Sequence, residues 1–195
     1  MGGVGMFAVA LGKHYFGAEV TTTVSTGKME RAGQMGAARV VDYTKETYTE
    51  VLENTADVVF DTVGDAEIYR VAKHNSTAVS VAMLPDRNGL DHFRHESAPL
   101  SLFGKAKLAA AKLIVGAVGW YLTRGFRSKG IRYGYVIMSP DGSDLEKTFN
   151  PLLENGTIKP VIANVYPFTT EGVQSAFKEL MAGHVAGKVI ICVKD

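Results

Sequence analysis

Three of the first five residues are glycines, and they lead directly into an apolar segment with helical spacing. A glycine-rich turn before a helix can hold a phosphate group, because the bare backbone approaches the anion closely and the unpaired N–H groups of the helix N-terminus face it. Gly2 and Gly5 fit the second and third glycines of the pattern G-x-G-x-x-G, and the first would precede Met1. Taken alone, this partial pattern is equally compatible with an unstructured glycine-rich terminus.

A second set of polar residues lies about 20 residues beyond the glycines, where a dinucleotide-binding fold contacts the adenosine ribose. An acidic residue there binds the ribose hydroxyls of NAD, whereas a basic residue accommodates the additional phosphate of NADP. The segment from Val20 to Met29 contains no Asp or Glu; Ser25 and Thr26 supply hydroxyl groups and Lys28 supplies a cation. The sequence therefore favours NADPH as the cofactor, although the same loop would also suit a solvated turn that caps the next helix.

The rest of the chain alternates helical and strand-like segments, which predicts an α/β protein with a Rossmann-type, doubly wound parallel sheet. The expected strands are Glu19–Val24, Ala38–Tyr43, Ala56–Gly64, Ser76–Met83, Ile131–Met138, Lys159–Tyr166 and Lys188–Val193. The expected helices are Met6–Lys13, Lys28–Met35, Tyr48–Asn54, Asp65–Lys73, Leu102–Tyr121, Asp144–Asn155 and Thr170–Gly183. At 195 residues the chain can bury a core, and we expect one nucleotide-binding domain over residues 1–195.

The composition argues against several other classes of protein. The net charge is +1, with 21 basic and 20 acidic residues, so no strong field draws the chain to nucleic acid or to acidic lipid. A single cysteine, Cys192, excludes an internal disulfide and a multi-cysteine zinc site. The most apolar run, residues 113–122, is shorter than the roughly 20 residues that a membrane-spanning helix requires.

Several motifs together resemble the cofactor-binding half of the medium-chain dehydrogenase/reductases. They are Gly2–Gly5 before the first helix, Gly36-Ala37 before Val40–Tyr43, Asp57–Gly64, and Gly183–Val189 near the end. The chain is most similar to the zinc-free quinone oxidoreductase branch, and within it to the reticulon-interacting mitochondrial oxidoreductases. The resemblance covers nearly the whole chain and is weakest between Leu84 and Lys129.

The resemblance implies which residues contact the cofactor. In NADPH-using members a lysine after the second strand and a tyrosine after the third bind the adenosine phosphate, and Lys28 and Tyr43 occupy these positions. Considered without the family, Tyr43 is better interpreted as a half-buried aromatic residue at a strand end. The complete set of candidate cofactor-binding residues is Gly2, Gly3, Val4, Gly5, Ser25, Lys28, Tyr43, Val63, Gly64, Val81, Met138 and Lys188.

Two features of the family are missing from this sequence. Family members carry an amino-terminal substrate domain, and the first Rossmann strand, which is central in the sheet, precedes the glycine turn. We therefore expect the truncated domain to have a gap between its second and fourth strands, with an unpaired edge on each. Substrate-contacting groups would lie largely in the missing half, and no general acid or base is assigned.

No metal site is expected. His92, His95 and Glu96 are close in sequence but lie in a predicted loop, for which solvation is the preferred interpretation. The basic side chains that follow the long helix are likewise interpreted as a solvated turn. These side chains are Arg124, Arg127, Lys129 and Arg132.

The expected function is that of an NADPH-dependent oxidoreductase of the quinone or enone reductase type, which transfers hydride to a small carbonyl or quinone acceptor. The alternative is a nucleotide-binding or assembly protein without turnover. The resemblance also implies a homodimer that pairs the edge strand Ile131–Met138 across a two-fold axis. A cytoplasmic or mitochondrial location is expected.

Overall fold

The computed structural model describes residues 2–82, 113–136, 142–143, 145–183 and 185–193. The strands are β1 (Thr21–Val24), β2 (Arg39–Asp42), β3 (Ala56–Asp61), β4 (Ala72–Ser80), β5 (Arg132–Tyr135), β6 (Ile162–Pro167) and β7 (Lys188–Cys192). The helices are α1 (Gly3–His14), α2 (Met29–Gln34), α3 (Tyr48–Val51), α4 (residues 113–122), α5 (Arg124–Ser128), α6 (Asn150–Glu154) and α7 (Thr170–Met181). The α/β class predicted from the sequence is therefore confirmed.

All described strand pairs are parallel, and they form three sheets. These contain β1 with β2, then β3, β4 and β5 in that order, and finally β6 with β7. Among the described strands, β1 pairs only with β2 and β3 only with β4, so each has an edge without a neighbour. The gap that the sequence predicts between the second and fourth Rossmann strands stays a prediction.

The chain divides into two compact units, of which the first contains Met1–Tyr48 and Ser139–Asp195 and the second contains Thr49–Met138. The expectation of a single nucleotide-binding domain over residues 1–195 remains a prediction. No helix among the described residues is both long enough and apolar enough to cross a bilayer.

In the first unit, α1 buries one apolar face. Met6, Val9 and Ala10 are spaced as one side of a helix and are all buried. Beside it, β1 and β2 align so that their last residues, Val24 and Asp42, are register partners. The two strands therefore end at the same edge of the sheet, and the loops that follow them leave from that edge.

The remainder of the first unit is built from α7 on β6 and β7. The Thr169 side chain accepts a hydrogen bond from the Gly172 N–H at 3.1 Å and so begins α7 as an N-cap. The Glu179 carboxylate connects this helix to β6. It accepts hydrogen bonds from Asn164 Nδ2 and from Tyr166 Oη, each 2.7 Å long.

In the second unit, β4 begins earlier than the sequence predicted. The helix expected over Asp65–Lys73 is a 3-10 segment that ends at Arg70, and β4 starts at Ala72 rather than at Ser76. The Lys129 ammonium group donates to Asn54 Oδ1 at 2.6 Å and to the carbonyl oxygens of Arg70 and Ala72 at 3.1 and 3.2 Å. This long-range contact holds the chain extended where the local pattern favours a helix.

The basic turn expected after α4 is instead the short helix α5. The Arg124 guanidinium lies 4.0 Å from the centre of the Tyr121 ring and donates to the Tyr121 carbonyl oxygen at 3.0 Å. Arg127 stacks over Trp120 at 5.0 Å and donates to the Thr123 hydroxyl at 2.6 Å. The two positive charges therefore lie at the C-terminal end of α4, where helix carbonyl groups lack partners and a cation is favourable.

Candidate functional site

The predicted phosphate-binding turn forms the start of α1. Gly2 is the N-cap residue, its backbone is extended, and it provides no side-chain cap. The first turn of the helix contains no acidic residue. The N–H groups of Gly3, Val4 and Gly5 therefore lack the acceptor that a capping side chain normally supplies, which is the condition for binding an anion at a helix N-terminus.

Lys188, from the other end of the chain, lies beside this turn. A Cβ atom built on Gly3 would be 2.7 Å from Lys188 Nζ, so the ammonium group rests directly against the glycine backbone. The same nitrogen lies 5.2 Å from the centre of the Phe7 ring, and Phe7 packs edge-to-face on Phe149 at 4.9 Å. A cation at the positive end of a helix is unfavourable unless an anion lies between them, so the two features together suit a phosphate group.

A second group of predicted residues lies where β1 and β2 end. Ser25–Lys28 follows β1 as a tight turn, in which the Lys28 N–H donates to the Ser25 carbonyl oxygen at 2.9 Å. Tyr43 follows β2, its N–H donates to the Val24 carbonyl oxygen at 3.1 Å, and its side chain is 55% exposed. Neither of the two ion pairs among the described residues involves Lys28.

Asp42 connects the two turns at this edge, and its role was not predicted from the sequence. It is only 2% exposed, and its Oδ1 accepts hydrogen bonds from the Thr44 N–H at 3.0 Å and the Thr44 hydroxyl at 2.6 Å. Its Oδ2 accepts a hydrogen bond from the Thr26 hydroxyl. The run Asp42-Tyr43-Thr44, in which an Asp side chain can bond the backbone two residues on, is the sequence signal that could have found this turn.

The hydrogen bonds that Thr26 and then Thr44 donate hold the pKa of Asp42 below its ordinary value, against the opposing effect of burial. Because the folded state favours the ionised carboxylate, this contribution to stability is fully present above the unfolded-state pKa of 3.8 and is lost as the pH falls through the folded-state pKa. We expect the difference in melting temperature between the wild type and Asp42→Asn to shrink as the pH is lowered from 7 to below about 3. A difference that stays constant over that range in thermal unfolding would contradict this expectation.

The predicted residues of the second unit lie at the carboxyl ends of β3 and β4. Asp61 ends β3, and its side chain accepts hydrogen bonds from the N–H groups of Val63 and Gly64 at 2.9 Å and from the Ser80 hydroxyl at 2.7 Å. Gly64 has φ +83, and a Cβ there would lie 3.2 Å from the Ala82 carbonyl oxygen. The Val81 N–H donates to the Asp61 carbonyl oxygen at 2.9 Å. Val63, Gly64 and Val81 are therefore all hydrogen-bonded to the buried residue Asp61.

Three other predicted features lie wholly or partly outside the described residues. Met138 is one of them, and the loop with His92, His95 and Glu96 is another. The third is the long helix predicted over Leu102–Tyr121, of which α4 begins at residue 113. Within the part of the chain that the structure describes, no three His, Cys, Asp or Glu side chains are placed to hold a metal ion.

Comparison with known proteins identifies relatives over almost the whole chain. A family model described as zinc-binding dehydrogenase matches residues 35–191. The 2-methylene-furan-3-one reductase of Solanum lycopersicum is 34% identical over 192 residues, which are 97% of this chain and 38% of that protein. The mitochondrial NAD(P)H oxidoreductase RTN4IP1 of Danio rerio is 27% identical over 205 residues, covering 100% of this chain and 47% of that protein.

Among solved structures, the quinone oxidoreductase from Coxiella burnetii superposes with a TM-score of 0.70 and 21% sequence identity. The superposition covers 98% of this chain and 50% of that chain. A likeness at this level of identity shows a shared fold. The chain thus spans between 38% and 47% of the length of the two curated relatives described above.

Proposed function

Because the chain belongs to the zinc-binding dehydrogenase family of medium-chain dehydrogenase/reductases, as its cofactor-binding half, we propose that it binds NADPH for reduction of a quinone or enone. The bound nicotinamide supplies the hydride. The chain's own residues bind and orient the dinucleotide. The name of the tomato relative specifies an unsaturated ketone substrate, and that of the zebrafish relative specifies NAD(P)H.

The residues of the first unit fit a dinucleotide in two places. The start of α1 and the Lys188 ammonium group offer N–H donors and a positive charge to the pyrophosphate, which NADPH and NADH share. The turn Ser25–Lys28 and the phenol of Tyr43 offer a cation and hydroxyl donors to the adenosine 2′-phosphate, which only NADPH carries. No acidic residue stands in that turn to bind the ribose of NADH instead.

The single observation that carries the proposal is the placement of Lys188 Nζ against Gly3. Two residues from opposite ends of the sequence, both predicted to contact the cofactor, meet at the positive end of a helix without an acidic partner in its first turn. The positive end of α1 and the Lys188 ammonium group repel each other, and an anionic ligand between them would compensate for this repulsion.

The proposal is tested by titrating the purified protein with NADPH and with NADH in a calorimeter, after circular dichroism has shown that it is folded. Selective binding of NADPH is the expected result, and assays with quinones and with α,β-unsaturated ketones would follow. A folded protein that binds neither dinucleotide would overturn the proposal. Equal affinity for the two would overturn the NADPH assignment.

Lys188 and Lys28 are expected to act on different parts of the cofactor. We expect Lys188→Met to weaken NADPH and NADH equally, by about tenfold, because one charge-assisted contact to the shared pyrophosphate is lost while an unbranched side chain can still pack against Gly3. Isothermal titration of both dinucleotides measures the effect. A change in the NADPH to NADH preference would show that Lys188 does not contact the shared pyrophosphate.

A second candidate function is nucleotide binding without turnover. Selective NADPH binding without reduction of any quinone or enone, by the protein as it exists, would support this second function.

We also propose a homodimer through β5. Among the described strands β5 pairs only with β4, so its other edge is available for pairing with the same edge of a second copy. Size-exclusion chromatography with light scattering tests this, and a monomer at high concentration would contradict it. A cytoplasmic or mitochondrial location remains a prediction, in keeping with the printed name of the mitochondrial zebrafish relative.

A further inference from the structure

A buried carboxylate lies next to the proposed 2′-phosphate site. In NAD-binding folds of this class the acid that binds the ribose stands just after the strand equivalent to β1. Here β1 ends in Val24 without such an acid, but its register partner on the neighbouring strand is Asp42. A negative charge is therefore present at the same edge, displaced by one strand.

The charge of Asp42 is covered by two threonines. Thr44 donates its N–H and its hydroxyl to Oδ1, and Thr26 donates its hydroxyl to Oδ2. The Lys45 ammonium lies 3.9 Å from Oδ2 and is the cation that faces it. Thr26 is exposed and belongs to the turn that carries Lys28, so the Asp42 carboxylate is hydrogen-bonded to the same turn that is proposed to bind the phosphate.

The two hydroxyl protons are both directed to the carboxylate. The Thr26 and Thr44 oxygens are 3.2 Å apart, a contact that needs neither proton because each hydroxyl already donates to Asp42. Thr26 therefore has no proton left to donate to a phosphate oxygen. The role of its hydroxyl at this edge is therefore the hydrogen bond that it donates to Asp42.

We propose that Thr26 is a specificity-determining residue, which covers the Asp42 carboxylate and so allows a dinucleotide with a 2′-phosphate to bind beside a buried negative charge. This inference rests on the proposed NADPH function. Without the Thr26 hydroxyl, Asp42 Oδ2 loses its hydrogen-bond donor and keeps only the Lys45 ammonium at 3.9 Å. An uncovered carboxylate repels a phosphate and favours the free ribose hydroxyls of NADH.

The test uses two fragments of the cofactor, 2′,5′-ADP and AMP, which differ in the 2′-phosphate alone. We expect Thr26→Ala to lower the preference for 2′,5′-ADP over AMP by about tenfold, the order of effect that one uncovered charge near a phosphate produces. Thr26→Ser keeps the hydroxyl and is expected to retain the wild-type preference. Calorimetric titration of each variant, with circular dichroism to show that it is folded, measures the preference.

A double variant separates charge from loop geometry. Thr26→Ala combined with Asp42→Asn removes the carboxylate, and recovery of most of the lost preference is expected. A preference that stays low in the double variant, or that is unchanged in Thr26→Ala, would overturn the inference and leave the proposed function intact. Wild-type protein that binds 2′,5′-ADP no better than AMP would overturn the NADPH assignment and the inference with it.

Discussion

The Lys28→Glu variant is expected to bind NADPH about 100-fold more weakly than the wild type and NADH less than threefold more weakly. Lys28 ends the turn that follows β1 and has no acidic partner among the described residues. Reversing its charge replaces attraction to the 2′-phosphate by repulsion, and NADH carries no phosphate there. Calorimetric titration of both dinucleotides gives the two affinities.

The matched control is Lys178→Glu, which makes the same charge change on the exposed side of α7. It is expected to leave both affinities within twofold of the wild type, because α7 carries none of the proposed cofactor-binding residues and exposed charges are screened by salt. An equal loss of NADPH and NADH affinity in Lys28→Glu would assign Lys28 to a part of the cofactor that the two share.

The Gly187→Ala variant is expected to be destabilised by about 3 kcal/mol, the upper range for a backbone forced into a disallowed conformation. Gly187 has φ +143, and a Cβ there would lie 2.7 Å from the Val161 carbonyl oxygen and 3.1 Å from the Ala163 nitrogen. These backbone atoms cannot retreat, because the Lys188 N–H donates to the same Val161 carbonyl at 2.8 Å. The substitution should also displace Lys188 and weaken both dinucleotides.

Gly183→Ala is the control for the backbone conformation alone. Gly183 follows α7 with φ +75 and has no heavy atom within 4 Å of a built Cβ. Its replacement is expected to cost about 1 kcal/mol, the strain of a left-handed residue without a steric clash. Denaturant unfolding compares the two variants, and equal losses would show that the contact with Val161 is unimportant.

The sequence by itself determined the class of fold and the types of residue at the site. The alternation of helical and strand-like segments requires parallel strands, because consecutive strands joined through helices run in the same direction. The glycines before α1 and the absence of an acid from Ser25–Lys28 are local features, so they could be interpreted without a structure. Their chemistry depends on residue type and spacing, which the sequence states directly.

The tertiary structure alone decided which distant residues meet. The sequence placed Lys188 near the cofactor only through a resemblance, whereas strand β7 sets its ammonium against Gly3. The cover of Asp42 by Thr26 depends on the register of β1 with β2, which no local pattern specifies. The early start of β4 has the same origin, because Lys129 binds the Ala72 carbonyl oxygen from a separate segment. In each case the stabilising free energy comes from a contact between residues far apart in the chain. Strand order and register bring these residues close together.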